Sequence, residues 1–171
     1  MVDVLAPLVP PLRLIHALAG VLLVGGLLGR WVALAHAERA ARAADLVAVT
    51  ALLGAASVFE WIVIRSSVAV LVLGVLTAWA GGYPLLLSPG GGGGAWLPVS
   101  LLLFLSTIPL VPLVFLPRGR VFGAALEEAR ALGRVTPALV VAFGDPVART
   151  AHLYEFAVVV VVLVLMFAKP F

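Results

Sequence analysis

The sequence contains no cysteine and few charged residues. Without cysteine, disulfide bonds, thiolate metal sites and cysteine nucleophiles are excluded. Charged residues make up 11% of the chain and hydrophobic residues 64%, whereas soluble domains are about a quarter charged and about half apolar. The composition therefore excludes an ordinary soluble domain, and the 171 residues suit one compact membrane domain.

The sequence also lacks the usual signals for binding nucleic acids or nucleotides. Its basic residues form no continuous stripe of the kind that binds nucleic acid. The glycine run at residues 90–94 is followed by no Lys-Ser or Lys-Thr pair and is preceded by no strand pattern, as a phosphate-binding loop would require. We interpret residues 84–95 as a flexible outer loop.

Four apolar stretches predict an all-α, polytopic membrane protein with a four-helix bundle, because a transmembrane helix needs about 20 mostly apolar residues. The predicted spans are residues 12–37, 66–83, 96–116 and 151–167. The more polar segments 38–65 and 118–150 are predicted to lie on the cytoplasmic side and to include amphipathic helices. Prolines inside the third span predict a kink there.

Local capping signals predict where several helices begin and end. The serine pair at 66–67 is expected to start the second span, and Pro117 is expected to close the third. Thr136 is a candidate N-cap, with Pro137 in the first helical position. The Gly-Asp-Pro run at 144–146 is expected to stop that helix and start the next.

The distribution of arginine predicts the orientation in the membrane. Four spans place both termini on one side, and only Arg13 and Lys169 lie there with them. Eight arginines fall on the other side: Arg39, Arg42, Arg65, Arg118, Arg120, Arg130, Arg134 and Arg149. Because Lys and Arg are enriched in cytoplasmic loops, we expect a protein of the bacterial cytoplasmic membrane with both termini outside.

Two ionisable residues, Arg30 and Glu155, lie at similar depth inside predicted spans. A charge at the bilayer centre costs about 2.5–3.5 kcal/mol on insertion scales, so we predict that they form an ion pair. His152 lies one turn from Glu155 on the same helix face. The alternative is that Arg30 reaches a lipid phosphate while Glu155 lies near water.

Histidines raise two further possibilities. His36, His152 and Glu155 together would supply the minimum of three zinc ligands, but His36 lies at a helix exit and we assign no metal site. His16 lies near the outer end of the first span, at the predicted depth of Ser100 and Met166. His and Met on opposing helices can bind heme or copper, so His16 and Met166 are candidate heme b ligands. Otherwise His16 bonds a backbone carbonyl or Ser100, and Met166 fills the core.

The first span also carries a pair of small residues. Gly25 and Gly29 are one turn apart, and such a pair allows another helix to approach closely. The partner helix is either within this chain or in a second copy, and the spacing does not choose between the two.

Several segments resemble known families. RLIHALAGVLLVGGL, EWIVIRSSVAVLVLGVLTAW, LPRGR, GRVTPAL and MFAKPF resemble, over nearly the whole chain, a family of predicted bacterial integral membrane proteins (domain-of-unknown-function family 2269). The pattern of His16, Arg30 and residues 36–38 resembles more distantly the four-helix heme-synthesis protoporphyrinogen oxidases and the copper-resistance membrane proteins. That resemblance implies a heme-associated His16 with Arg30 and Glu155 in its polar cluster. The oxidase family has a lysine early in its third span, and the corresponding residue in this chain is Ser100. The resemblance therefore does not imply the oxidase activity itself.

Three functions remain open from the sequence. The first is a non-enzymatic accessory or structural subunit whose partners are the bilayer and other membrane subunits or a second copy, since no nucleophile–base pair or acid dyad is visible. The second is a heme-binding redox or heme-handling protein. The third is a copper or small-solute permease, for which few polar residues are available in the spans: Thr77, Ser100, Ser106 and Thr107.

Overall fold

The computed structural model describes residues 6–83, 85 and 94–169, and every regular element within them is helical. The α-helices are α1 (Val9–Arg42), α2 (Leu46–Ala80), α3 (Trp96–Leu105), α4 (Leu116–Ala131), α5 (Pro137–Phe143) and α6 (Pro146–Ala168). The predicted all-α class is confirmed. Of the predicted outer loop 84–95, only residues 85, 94 and 95 fall within the described part.

Three helical stretches are long and apolar enough to cross a membrane: Val9–Arg42, Leu46–Ala80 and Pro137–Ala168, the last of which takes α5 and α6 together. They include most of the predicted spans 12–37, 66–83 and 151–167. The fourth apolar helix, α3, has only 10 residues, about half of what a bilayer needs.

Helix α2 is much longer than predicted. It runs without a break from Leu46 to Ala80, so the predicted helix start at residues 66–67 is wrong. The Ser66 hydroxyl instead donates to the carbonyl of Ile62, at 2.6 Å, within the same helix. The true N-cap is Asp45, whose Oδ1 accepts from the backbone N–H of Ala48 at 2.9 Å. The apolar residues after Asp45 favour one continuous helix.

Glycines of α1 allow α2 to pack closely beside it. A Cβ built on Gly29 would lie 2.3 Å from the Phe59 ring, and one on Gly26 would lie 3.0 Å from Val63. Gly25 differs, because a Cβ there meets nothing within 4 Å. Within the predicted small-residue pair, Gly29 therefore serves packing inside the chain, while Gly25 is not used by the described residues.

The predicted third span is interrupted by its prolines. α3 ends at Leu105, residues 106–109 form turns, and a π-helical segment, Val111–Phe115, follows. Pro109 and Pro112 have no N–H to donate, so the α-helical hydrogen-bond ladder is interrupted, which confirms the predicted kink. Pro117 does not end the helix as predicted. It lies in the first turn of α4, where a missing N–H donor is tolerated.

The described residues divide into two compact units. The first unit consists of the described residues up to Gly26, of Trp61–Leu105 and of the described residues from Ala157 onwards. The second unit consists of Leu27–Glu60 and Ser106–Phe156. A buried cluster of the first unit consists of Ala78, Trp96 and Leu97. The buried cluster of the second unit consists of Ala41, Val49, Ala125, Ala129 and Leu139.

Helix caps in the second unit follow the sequence prediction. Thr136 is the N-cap of α5, and its Oγ1 accepts from the Leu139 N–H at 3.3 Å. Asp145 does the same for α6, since its Oδ1 accepts from Val147 at 2.9 Å and from Ala148 at 3.3 Å. Side-chain acceptors at these positions satisfy N–H groups that have no partner inside the helix.

Replacing Thr136 with alanine should destabilise the protein by about 1 kcal/mol, because Leu139, whose N–H loses its acceptor, is buried. The free energy of unfolding in mixed micelles measures the effect. Thr150→Ala is the matched control, since Thr150 is exposed and its hydroxyl bonds only to Pro146 in its own helix. Equal losses in the two variants would show that the cap contributes nothing.

Candidate functional site

Arg30 of α1 holds carboxylates from two other helices. Its side chain is buried, and Nη1 donates to Oε2 of Glu60 on α2 at 2.7 Å. Nη2 donates to Oε2 of Glu155 on α6. Because guanidinium is planar and has donors pointing in several directions, one cation can join two carboxylates in this way. Three helices are therefore joined at a single side chain.

His152 extends this group along α6. Its Nδ1 lies 3.8 Å from Oε2 of Glu155, which is longer than a hydrogen bond. Its ring stacks on Phe115 with centroids 4.7 Å apart and planes at 22°. Phe115 is the last residue of the π-helical segment, so the proline-induced irregularity positions the ring that covers His152. We call Arg30, Glu60, His152 and Glu155 the ion cluster.

The structure therefore brings together the three residues that the sequence indicated, Arg30, Glu155 and His152, and adds Glu60. Glu60 was missed because residues 38–65 were interpreted as a cytoplasmic segment separate from the second span. A signal was present. Arg30 and Glu60 lie at similar distances on either side of the turn at residues 43–45, so two antiparallel helices joined there bring them to the same level.

The two carboxylates of the ion cluster share one guanidinium and differ in their exposure to solvent. In a medium of low dielectric constant, attractions between such opposite charges are strong. The Glu155 side chain is 16% exposed, whereas that of Glu60 is 46% exposed. Water can therefore solvate Glu60, and Glu155 depends most on Arg30. The arrangement is well suited to holding helices together.

His16 lies in the other unit, against a different part of α2. A Cβ built on Gly74 would lie 3.0 Å from its Cε1 and 3.4 Å from its Nδ1. Nδ1 of the ring is buried with no hydrogen-bond partner among the described residues. The absence of a side chain at Gly74 makes room for the imidazole, which is a packing arrangement.

The residues that the sequence suggested beside His16, or as the lining of a permease, have contacts of their own. Ser100 is buried, and its hydroxyl donates to the carbonyl of Trp96 at 2.7 Å. Met166 packs against the apolar cluster of the first unit. Thr77 likewise donates to Leu73 of its own helix, at 2.6 Å. These hydroxyls are engaged with the backbone of their own helices.

The three-ligand arrangement considered for His36 is not formed. Within residues 6–83, 85 and 94–169, no three His, Asp or Glu side chains are grouped as metal ligands. His36 instead places its Nδ1 2.8 Å from the carbonyl of Val32 on its own helix.

Large apolar side chains cover the outside of the long helices, as expected where lipid replaces water. In an apolar 18-residue segment of each of the three long stretches, only 17% to 22% of the residues are buried. Leu22, Val72 and Val164 are among the exposed side chains. Such surfaces define an integral membrane protein. The chain belongs to the predicted integral membrane protein family (DUF2269), whose model matches residues 10–170. No curated protein and no solved structure gives a significant match.

Proposed function

We propose that this protein is a non-enzymatic accessory or structural subunit of a complex in the bacterial cytoplasmic membrane. The observation that carries the proposal is the buried Arg30 bonded to carboxylates on two other helices. A catalytic acid or base must reach its substrate. Glu155, the most buried acid of the ion cluster, is instead held by Arg30, so its charge serves helix packing.

The tryptophans of α2 support a placement in the bilayer. Trp61 and Trp79 are both exposed and lie about five turns apart, or about 27 Å. This matches the hydrocarbon thickness of about 30 Å, at whose two boundaries tryptophan is enriched. We place Trp61 at the cytoplasmic boundary and Trp79 at the outer one, with residues 46–60 on the cytoplasmic side. This placement keeps residues 96–116 as the proposed fourth span and both termini outside.

A site-specific photo-crosslinking experiment in native membranes tests the subunit role. Leu22 is 58% exposed and its neighbour Leu23 is 4% exposed, so they form a matched pair of positions for a photo-reactive amino acid. We expect a covalent product with one defined membrane protein from position 22 and none from position 23. Only lipid adducts, or only products of two copies of this chain, would contradict the accessory role.

Heme binding by His16 is the alternative that the sequence raises, and the geometry supports it less well. The Cε1 and Nδ1 edge of the ring faces Gly74, which leaves no room for a heme iron at Nδ1, so that Nε2 is the remaining nitrogen that could ligate it. The visible absorption spectrum after heme addition, oxidised and then reduced, tests it beside His16→Ala. The subunit proposal expects no Soret band in either protein. A band that sharpens on reduction and disappears in His16→Ala would establish heme binding instead.

A further inference from the structure

The unit that contains the ion cluster also has an open groove with apolar walls. It lies between α1 and α2 and has a volume of about 490 Å³. Its walls are apolar and include Leu28, Val32, Leu52 and Phe59, and His36 is the one ionisable residue among its lining residues. We call this the α1–α2 groove.

The α1–α2 groove is apolar along most of its length and has His36 among its lining residues, with Arg39 one turn further along α1. Val32, His36 and Arg39 follow one another on a single stripe of α1, because helical neighbours recur every three to four residues. Nδ1 of His36 is engaged with the Val32 carbonyl, which leaves its Nε2 available. Arg39 is exposed and makes no ion pair among the described residues. One uncommitted guanidinium therefore follows the imidazole on this stripe, one turn beyond the residues that line the groove.

The neighbouring charges leave Arg39 free for a ligand. Glu38, the acid next to it in sequence, is already engaged by Arg42 at 2.6 Å and by Arg149 at 3.2 Å. An apolar groove with an unpaired guanidinium one helical turn beyond it is complementary to a molecule with an apolar chain and an anionic head. Arginine binds phosphate especially well, since its donors match the phosphate oxygens.

We propose that the α1–α2 groove binds one acidic phospholipid, with an acyl chain along Val32 and Leu28 and the phosphate at His36 and Arg39. This inference rests on the membrane placement proposed above. That placement puts the Leu28 end of the groove at the bilayer boundary, next to the exposed Trp31, and Arg39 on the cytoplasmic side. An acyl chain can then enter the groove from the lipid phase.

The test measures lipid bound to the purified full chain by native mass spectrometry after delipidation and addition of phosphatidylglycerol. We expect one retained lipid per chain, and binding about tenfold weaker in Arg39→Ala, because a charge-assisted hydrogen bond contributes that much. Leu52→Trp, which fills the groove, should reduce binding as well. Arg134→Ala is the matched control, since Arg134 is also exposed and makes no ion pair among the described residues.

Two further ligands test the role of Arg39 and the role of the groove separately. Phosphatidylcholine should bind less tightly than phosphatidylglycerol, and equal binding would overturn the role of Arg39. Glycerol phosphate, which has no acyl chain, should bind far more weakly, and equal affinity would overturn the role of the groove. Equal losses in Arg39→Ala and Arg134→Ala would show only a general attraction of lipid to basic residues, and would also overturn the site.

The outcome is independent of whether a partner subunit exists, because the lipid measurement uses the purified chain alone. The membrane placement has its own check. A cysteine introduced at Val47, which is 82% exposed, would be the sole thiol in the chain. It should react with a membrane-impermeant maleimide from the cytoplasmic side. Reaction from the outer side alone would refute the placement on which the lipid site rests.

Discussion

Replacing Arg30 with alanine should lower the free energy of unfolding by about 3–5 kcal/mol, the usual loss when one partner of a buried ion pair is removed. The variant leaves the carboxylates of Glu60 and Glu155 without the guanidinium to which both are bonded. Reversible unfolding in mixed micelles measures the loss. Arg134→Ala removes an exposed arginine that makes no ion pair among the described residues, and should change stability by less than about 0.5 kcal/mol.

Double-mutant cycles distinguish the two carboxylates. Arg30→Ala combined with Glu155→Ala should show strong coupling, because both side chains are largely buried. Coupling with Glu60→Ala should be weaker, since Glu60 is 46% exposed and water screens the pair. Arg30→Lys should give an intermediate stability, because a single ammonium cannot match the planar guanidinium. Strictly additive losses in both cycles would show that the contacts carry no stabilising energy.

Replacing Gly29 with alanine should destabilise the protein by about 1–3 kcal/mol, the range for overpacked cores. The new methyl group would lie 2.3–2.6 Å from three ring atoms of Phe59, so either the ring or a helix must move. Gly25→Ala is the matched control, because a Cβ there meets nothing within 4 Å. It should be neutral or should stabilise by up to about 1 kcal/mol through its higher helix propensity.

The same unfolding measurement, with Phe59→Ala added, tests the cause of the Gly29 effect. Removing the ring takes away the atoms that the new methyl group would strike. The double variant should therefore lose less than the sum of the two single losses. Equal destabilisation by Gly25→Ala and Gly29→Ala would contradict the close helix approach at Gly29.

Local signals in the sequence were sufficient for much of the fold. The Thr136 cap and the kink at Pro109 and Pro112 depend on a few neighbouring residues, and the structure contains them. Pro117 was interpreted as a terminator, yet proline is also favoured in the first turn of a helix. The sequence alone did not decide between these two positions, because that choice depends on where the preceding turn ends.

The sequence did not predict contacts between residues that are distant along the chain. Glu60 was interpreted as an interruption of the apolar run, because a charge there is costly unless it is paired. Its partner Arg30 lies on another helix, and the pairing lets α2 continue through Glu60. For His16, the predicted depth in the membrane indicated which residues lie at the same height, but not which helix its ring faces. The residue that makes room for its ring is Gly74, which has no side chain to signal it.

The central claim is that the ion cluster serves helix packing, a role that well-packed apolar residues can take over, and that it carries no chemistry of its own. The most direct test replaces Arg30, Glu60 and Glu155 together with apolar residues, as Arg30→Met, Glu60→Met and Glu155→Leu, and measures the free energy of unfolding. The claim predicts a stability within about 1 kcal/mol of the natural protein or above it, as for other buried ion clusters replaced as a whole, with the crosslinked product from position 22 retained. A variant that folds but loses this product would contradict it.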